Sequence, residues 1–401
     1  MNTTAMHPRF FRWLVAASIF ACAGTSHAIE QWTVTSLHPA GANESFARGV
    51  FGDTQVGQVT TLDGDRASVW SGSAASWVSL NPVDVRYATV LGVSQDQMVG
   101  EARVGVVVGR YHASVWTGTA GSWVDLHPAS AWSSTAHGVR AGQQVGTVYF
   151  DNANHAALWS GTAGSLVSLH PAAAVDSIAL ATSGTNQVGY VFINDLFRAS
   201  MWTGVAESWV DLTPAAATGR AYASGVHGAE QVGSVSIGGV DHAGLWTGTS
   251  ESWVDLHPAG AWSSAASGVF AGYQVGEVVV TEEVNHASMW TGTAGSWVDL
   301  HALLPATFSS SSARAVWSDG EYIHIVGSGF NTLTNRNEAL LWSYSPPCRA
   351  DFDGDGFITF TDFDAFVVSF EAGEATADFN GDGFLTFEDF DAFVVTFEKG
   401  C

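Results

Sequence analysis

The sequence has few cysteines, almost no lysine and little charge. It contains 3 Cys, Lys399 is its only lysine, and charged residues make up 13% of the chain. Helices of soluble proteins usually carry Lys, Glu and Arg on their exposed faces, so this composition argues against a mainly helical protein. The abundant residues are Gly (44), Trp (17) and other hydrophobic residues (46% in all). This mixture favours many short strands joined by tight turns.

Basic residues are also scarce relative to acidic ones. There are 38 Asp and Glu against 14 Lys and Arg, which gives a formal net charge of −24 at pH 7. Such a surface argues against nucleic acid and against anionic lipid headgroups as partners. The acidic residues are densest in the segment 349–401, where cations are the obvious counterpart.

The first 28 residues have the pattern of a secretory signal peptide. Arg9 and Arg12 supply a positive start, residues 13–22 supply a short apolar run, and residues 26–28 supply a small-x-small cleavage site. We therefore expect a secreted protein, extracellular or at the cell surface. The alternatives are an N-terminal helix and, because of Cys22, a lipoprotein signal, which the bulky Phe20 disfavours. No other stretch is long and apolar enough to predict a membrane span.

Between residues 29 and 345 the chain repeats a unit of about 44 residues. Three markers each recur seven times: a Trp in an apolar strand, a Leu two residues before a Pro in all copies but the last, and a Gly in the motif QVG or its variants. The seven Trp residues are Trp70, Trp116, Trp159, Trp202, Trp246, Trp290 and Trp342. A fixed period in the forties is typical of propellers and solenoids.

Each unit divides into four short apolar segments, which we name a to d. In one unit they are residues 136–141, 144–150, 155–159 and 165–170, separated by Gly, Asn and Ser. Their alternation and their Val, Trp and Tyr content predict strands. Four strands per unit predict an all-β fold, a seven-bladed β-propeller.

The two ends of the repeat region complement each other. Residues 31–39 form an outer strand that lacks inner strands before it, and residues 315–344 form three strands without an outer one. We therefore predict that residues 32–38 supply the fourth strand of the seventh blade and close the ring, which removes two unpaired edges.

Most repeated side chains are interpreted as scaffold. The Trp residues should fill the space between blades, and the Gly of strand b should lie where a side chain would clash with neighbouring blades. Equivalent histidines could form a metal ring, but the same position holds cationic Arg66 and Arg198, so structural hydrogen bonds are the preferred reading. These histidines are His112, His155, His242 and His286, and the repeated Asp125, Asp211, Asp255 and Asp299 are interpreted in the same way.

A ligand of the propeller should contact the parts in which the copies differ. The b–c and d–a loops vary most and share one face of the predicted disc. Trp132 and Trp262 lie in d–a loops, outside the packing register, and an exposed Trp can stack on a sugar, so these two residues are our candidates for a glycan site. No loop carries a catalytic constellation. An enzyme acting on polysaccharide, with loop acids such as Asp151, Glu282 and Glu283, is the alternative.

The repeat resembles the HAF-type extracellular repeat, named for a short His-Ala-aromatic signature. The resemblance rests on His112-Ala113, His155-Ala156 and His286-Ala287 and covers residues 30–345. It implies a secreted repeat protein and no particular activity.

Two calcium-binding loops follow, at residues 351–362 and 378–389. Oxygen donors at positions 1, 3, 5 and 12, with Gly at position 6 and a backbone carbonyl at position 7, are the ligand pattern of such loops. We therefore predict two Ca²⁺ ions. Their predicted ligands are Asp351, Asp353, Asp355, Phe357 and Asp362 in the first loop, and Asp378, Asn380, Asp382, Phe384 and Asp389 in the second. A standard EF-hand has Glu at position 12, and Asp is shorter.

Each loop runs into a predicted helix with one Phe-rich face, which should pack the two helices together. Gly373 and Gly400 should end these helices. This loop-helix pair resembles a dockerin, and the flanking Cys348 and the terminal Gly400-Cys401 make it similar to the GC-type dockerin. The resemblance implies two calcium ions and anchoring to a cohesin-like or cell-surface protein.

In dockerins the partner-reading residues occupy loop positions 10 and 11. Here these positions hold Phe360-Thr361 and Phe387-Glu388 instead of the usual Ser/Thr pair.

Cys348 and Cys401 are the only cysteines of the expected mature chain, and they bracket this module at residues 346–401. In an exported protein they predict a disulfide, and the alternative is that Cys401 is an attachment point. Taken together, the sequence predicts a secreted, non-enzymatic binding or surface protein. The alternative is a polysaccharide lyase or glycosidase.

Overall fold

A computed structural model describes residues 32–105, 110–281, 284–345 and 348–399. The chain divides into two compact units, one within residues 31–346 and one C-terminal to it. The first is built from seven four-stranded antiparallel sheets, the predicted seven-bladed β-propeller. The predicted signal peptide, residues 1–28, lies outside the described residues.

The strands have the following bounds. The closing strand is β1 (Trp32–Ser36). Blade 1 contains β2 (Glu44–Phe51), β3 (Thr54–Thr61), β4 (Gly64–Trp70) and β5 (Val78–Ser79). Blade 2 contains β6 (Ala88–Ser94), β7 (Gln97–Val104), β8 (Arg110–Trp116) and β9 (Val124–Asp125). Blade 3 contains β10 (Ser133–Arg140), β11 (Gln143–Phe150), β12 (Ala153–Trp159) and β13 (Val167–Ser168). Blade 4 contains β14 (Asp176–Thr182), β15 (Gln187–Ile193), β16 (Leu196–Trp202) and β17 (Val210–Asp211).

The remaining blades follow the same plan. Blade 5 contains β18 (Ala221–His227), β19 (Glu230–Ile237), β20 (Val240–Trp246) and β21 (Val254–Asp255). Blade 6 contains β22 (Ser263–Phe270), β23 (Tyr273–Thr281), β24 (Val284–Trp290) and β25 (Val298–Asp299). Blade 7 contains β26 (Phe308–Ser318), β27 (Ile323–Asn331) and β28 (Arg336–Tyr344), to which β1 is added.

The predicted closure of the ring is confirmed. Strand β1 pairs antiparallel with β28, in a register that runs from Trp32 opposite Tyr344 to Ser36 opposite Leu340. The rings of Trp32 and Tyr344 lie 5.3 Å apart, and Leu37 just beyond the strand is fully buried. Both chain ends of the propeller are therefore paired within one sheet.

The fourth strand of blades 1 to 6 is shorter than the sequence pattern predicts. In blade 3 only Val167–Ser168 pair as a strand, because the preceding residues Ala163–Ser165 form a 3₁₀ turn. The Ser165 hydroxyl accepts a hydrogen bond from the N–H of Ser160 and donates one to the carbonyl of Thr162, which holds this turn. The outer edge of these blades is thus a turn followed by a two-residue strand.

The predicted packing of the seven strand-c Trp residues is confirmed. All seven are at most 1% exposed, and they belong to the clusters that fill the spaces between blades. Trp159, for example, packs with Val99, Leu126 and other residues of blade 2. Packing of large aromatic side chains therefore holds neighbouring blades together.

The strand-b glycines were predicted to avoid a clash with neighbouring blades, and this prediction is wrong, because the close contact lies within the same blade. A Cβ on Gly146 would overlap the carbonyl oxygen of Thr135, which belongs to the first strand of the same blade. Close approach between neighbouring blades occurs instead on the first strands. A Cβ on Gly138 would lie 2.9 Å from the Cα of Ala181 in the next blade.

The C-terminal unit contains two helices, α1 (Phe360–Ala372) and α2 (Phe387–Lys399). Their predicted packing is confirmed, since Phe366 and Phe393 are fully buried and stack with their ring centroids 4.0 Å apart. Gly373 ends α1 in the left-handed conformation (φ 72°), as predicted. Gly400 lies outside the described residues. Among those residues, no helix has the length and apolar character needed to cross a membrane.

Candidate functional site

The first predicted calcium loop, residues 351–362, brings three carboxylates together. One oxygen each from Asp351, Asp353 and Asp355 lies within 4.8 Å of the others. Gly354 and Gly356 adopt positive φ angles of 72° and 88°, which allows the tight turn that converges these side chains. The N–H of Gly356 donates to Asp351 Oδ2 at 2.9 Å and fixes that carboxylate from behind.

This arrangement fits a hard cation. Asp351 Oδ1 is buried and has no hydrogen-bond partner within the described part of the chain. A buried carboxylate oxygen without a donor is unfavourable, and a calcium ion prefers such oxygen ligands. Bound calcium would supply positive charge that offsets the mutual repulsion of the three carboxylates.

Asp362, the predicted ligand at position 12, is fully buried. Its Oδ1 accepts from the N–H of Asp353 at 3.1 Å and its Oδ2 from the N–H of Thr359 at 2.7 Å. Burial acts to raise the pKa of Asp362, but hydrogen bonds from backbone N–H groups outweigh it and lower that pKa. Asp362 therefore stays ionised and ties the loop to the start of α1.

The second loop repeats most of this network, but Asp378 Oδ1 accepts the N–H of Gly381 at 2.9 Å, whereas Asp351 Oδ1 has no partner among the described residues. Gly383 N–H donates to Asp378 Oδ2 at 2.9 Å, Asp382 N–H donates to the Asn380 side chain at 2.9 Å, and the buried Asp389 accepts from Asn380 and Thr386 N–H groups. Since Asn380 replaces an aspartate, this loop carries one carboxylate fewer. In the two loops, Phe357 and Phe384 donate their N–H groups to Asp355 and Asp382. Their predicted carbonyl ligation stays a prediction, as do the two ions.

The four residues predicted to contact a partner are all exposed. Phe360 and Phe387 are 73% and 80% exposed, and Thr361 and Glu388 follow them in the first turn of each helix. Cys348 lies in the core of this unit. Its predicted partner, Cys401, lies outside the described residues, so the disulfide stays a prediction.

The two loop tryptophans of the propeller are also exposed, Trp132 by 55% and Trp262 by 54%. The guanidinium of Arg110 lies 4.0 Å from the ring centroid of Trp132 and covers one of its faces. A sugar could therefore stack only on the other face of Trp132. The predicted glycan site stays a prediction.

The repeated histidines form hydrogen-bonded stacks, as expected for structural groups. His112 Nδ1 lies 2.8 Å from Asp125 Oδ2, and its ring stacks on that of His127 with centroids 3.9 Å apart. His242 and His286 make the same contacts with Asp255 and Asp299. His155 stacks on His170.

The sequence reading missed a covariation between the two stacked positions. Where the first position holds Arg66 or Arg198, the second holds Asn81 or Thr213 instead of histidine. A histidine at the second position would be costly to protonate beside an arginine at the first. Alignment of the seven repeats at both positions would have revealed this signal.

Burial lowers the pKa of seven histidines in the propeller. They are His38, His127, His137, His170, His227, His257 and His301. For His137, which is half-buried and lines the central channel, the pKa falls to about 4. For His170, repulsion from His155 adds to burial.

We therefore expect acid to destabilise the propeller before its carboxylates titrate. The folded pKa values lie below the unfolded value of about 6.5, so below that pH the unfolded state binds more protons and stability falls. The Tm, measured by tryptophan fluorescence, should drop by at least about 5 °C between pH 7.5 and pH 5. His170→Asn should reduce this fall in Tm. The substitution introduces the residue that blade 1 has at the equivalent position, Asn81. A Tm that is constant across this range would contradict the expectation.

Comparison with known proteins identifies the fold and no family. No protein-family model matches the sequence, and no curated protein matches it. The β-propeller domain of the Trilobed protease from Pyrococcus furiosus is similar in structure, with a TM-score of 0.51 and 9% identity over 76% of this chain and 97% of that one. An oligogalacturonate lyase in complex with manganese gives a TM-score of 0.51 and 10% identity over 78% of this chain and 93% of the lyase.

Other matches are to longer proteins. The chain spans 54% of a puromycin hydrolase and 35% of the tricorn protease, with TM-scores of 0.46 and 0.41. At such identities the likeness concerns architecture alone. The chain is thus a seven-bladed β-propeller followed by a separate unit with two helices.

Proposed function

We propose that this protein is a secreted or cell-surface binding protein whose propeller is anchored through a calcium-dependent, dockerin-like module. The observation that carries the proposal is the buried, unpartnered Oδ1 of Asp351 beside the carboxylates of Asp353 and Asp355. A second loop with most of the same hydrogen-bond network supports a second ion. The predicted signal peptide supports export.

The surface of the module supports docking to an apolar protein face. Phe360, Phe384 and Phe387 are each more than 70% exposed, which is unusual for so large a side chain. Phe360 and Phe387 occupy position 10 of the two predicted calcium loops, where α1 and α2 begin. Calcium would hold both loops in place and so fix the positions of these rings.

Docking should therefore require both the ions and the aromatic rings. We expect the full chain to bind a cohesin-like domain from a panel of purified cohesins in 1 mM Ca²⁺ and to lose that binding in EGTA. Phe360→Ala with Phe387→Ala should weaken it by about 100-fold, since buried aromatic anchors dominate interfaces. Surface plasmon resonance would measure both effects.

Val368→Ala with Val395→Ala is the matched control, because these residues are 66% and 64% exposed on the same helices but lie farther from the loops. Binding that persists in EGTA, or that is unaffected by the loss of both phenylalanines, would refute calcium-dependent docking through this surface.

The alternative function, an enzyme acting on polysaccharide, has one observation in its favour. Arg110, Trp132, Tyr149 and Asp151 border a single surface cavity. Glu282 and Glu283, the other acids of this hypothesis, lie outside the described residues. Glycan binding at this cavity without turnover would favour the binding protein over the enzyme.

A further inference from the structure

A cavity of about 400 Å³ occupies the centre of the propeller ring. Its wall is formed by the first strand of every blade, from β2 in blade 1 to β26 in blade 7. A volume of this size lies in the range of about 300 to 1,000 Å³ that small-molecule sites occupy. The cavity belongs to the propeller and is separate from the calcium loops.

One residue of each first strand is aimed into this cavity by a β-bulge. The ladder between β2 and β3 shifts register between Ala47 and Gly49, which leaves Arg48 without a partner residue. The ladder between β26 and β27 shifts in the same way between Ala313 and Ala315, at Arg314. Bulges of this kind redirect a side chain and recur next to functional sites.

The seven bulge residues divide the ring into a cationic side and an apolar side. Arg314 and Arg48 come from blades 7 and 1, which are neighbours in the ring, and they form the cationic side. His137 comes from blade 3, on the apolar side, and is neutral near pH 7 because burial lowers its pKa to about 4. Leu91 and Leu180 come from blades 2 and 4. The two remaining blades contribute serines. Among the described residues no aspartate or glutamate lines this cavity, although the chain has a net charge of −24.

Arg48 and Arg314 have weaker contacts with carboxylates than some other arginines of the propeller, and the shortest is the 3.9 Å ion pair of Arg314 with Glu277. Arg48 has no hydrogen bond or ion pair to any described residue, and its Nε is buried. Burial, and then repulsion from Arg314, lowers the pKa of Arg48. By contrast, Arg220 lies 2.7 Å from the carboxylate of Asp241, and Arg336 lies 3.1 Å from that of Glu338.

Two glutamates near the arginines do not satisfy them. Glu277 lies 3.9 Å from Arg314 Nη2, beyond hydrogen-bond distance. Glu101 attracts Arg48 electrostatically, but its Oε2 accepts a hydrogen bond from Thr135 at 2.6 Å. Arg48 Nε therefore has no acceptor among the described residues. Keeping a partly buried guanidinium without an acceptor is costly unless a bound anion offsets it.

The end of the cavity near the a–b turns is narrowed by Arg140. Its guanidinium lies 5.6 Å from the ring of Phe51 and 5.5 Å from that of Phe270, so residues of blades 3, 1 and 6 meet across the channel. Phe51 and Phe270 stand at the ends of β2 and β22, just before the turns. A ligand would therefore come in from the opposite face, where the variable b–c and d–a loops lie.

We propose that the central cavity binds a small organic carboxylate, which accepts charge-assisted hydrogen bonds from Arg48 and Arg314. The apolar part of the ligand lies toward Leu91 and Leu180. Arg140, Phe51 and Phe270 close the end of the cavity near the a–b turns. A pair of guanidinium groups suits a carboxylate, and the apolar wall favours an organic anion over a bare inorganic one. This site would give the propeller a ligand of its own, independently of calcium-dependent docking.

Titration calorimetry on the full chain tests this proposal. The probes are acetate, benzoate and D-glucuronate, with neutral D-glucose and inorganic phosphate for comparison, in Tris chloride with calcium present throughout. We expect one-site binding of at least one carboxylate and none of glucose. Arg48→Met should weaken that binding by about 10- to 100-fold, the range for a hydrogen bond to a charged group. Arg220 is an exposed arginine elsewhere in the propeller, so Arg220→Gln should leave the affinity for the carboxylate unchanged.

The stability of the same variant provides a second readout. Without a carboxylate present, Arg48→Met should raise the Tm by about 2 °C, because it removes an unpaired, partly buried charge. An arginine with a purely structural role would lower the Tm when replaced. The proposal is overturned if Arg48→Met lowers the Tm, if no carboxylate of the panel binds, if glucose binds as well as glucuronate, or if phosphate alone binds. Loss of docking in EGTA does not bear on any of these outcomes.

Discussion

Gly146→Ala is expected to lower the free energy of unfolding of the propeller by at least ~3 kcal/mol. The added Cβ would overlap the carbonyl oxygen of Thr135 and lie 2.9 Å from the Cα of Ala136. Both are backbone atoms in the neighbouring strand, so no side-chain rotation can relieve the contact. Relief would require separating β10 from β11 next to the bulge at His137.

Gly164→Ala in the same blade is the matched control. A Cβ at Gly164 would meet no atom within 4 Å, and its φ is not positive. Its unfolding free energy should stay the same or rise by up to about 1 kcal/mol, because alanine reduces the entropy of the unfolded chain. Urea unfolding followed by the fluorescence of the buried tryptophans would measure both variants. Equal stability of the two variants would show that the strand-b glycines are not required by close packing.

Removal of calcium is expected to unfold the C-terminal unit and leave the propeller folded. The unit is small, and its first loop gathers three carboxylates that repel one another without a cation. An ion present at about 1,000 times its dissociation constant contributes roughly 4 kcal/mol of stability. EGTA should therefore open residues 348–399 to a protease while residues 32–345 stay resistant, as measured by limited proteolysis and mass spectrometry.

Single substitutions test which residues bind the two calcium ions. Asp355→Ala and Asp382→Ala should each remove one of two calcium sites in titration calorimetry and make the unit sensitive to protease at low calcium. Asp364→Ala, an exposed acid on α1 outside the loops, should keep both sites. A stoichiometry other than two, or protease resistance that is the same in calcium and in EGTA, would count against the predicted sites.

The fold was largely predictable because it is repeated. Three markers that recur seven times give the number of blades, and the unmatched strand at residues 31–39 predicts the closure that β1 and β28 make. The calcium loops could be predicted for a similar reason, since the expected ligand positions lie within 12 residues of sequence, and the bound ions stay a prediction. The sequence placed Phe360 and Phe387 both on the apolar face of each helix and at the partner-reading positions, and only the structure shows that these two rings are exposed.

Side-chain direction in the first strands could not be read from the sequence. If side chains alternated strictly along β2, the side of the sheet on which Arg48 lies would follow from its neighbours. The bulge between Ala47 and Gly49 shifts the register at Arg48, so this rule does not apply there. A bulge has no reliable marker in a single strand, because it depends on how the partner strand pairs. The shortness of the fourth strands has a similar origin in local turns such as Ala163–Ser165.

The sequence by itself determined the number of blades, the closing strand and the two loops rich in oxygen donors, because each depends on local spacing. Only the tertiary structure decided which side chains meet. Arg48 and Arg314 lie far apart in the chain and become neighbours because β1 closes the ring between blades 7 and 1. Seven bulges then turn one residue per blade toward the centre, and the charge of the cavity results from that combination.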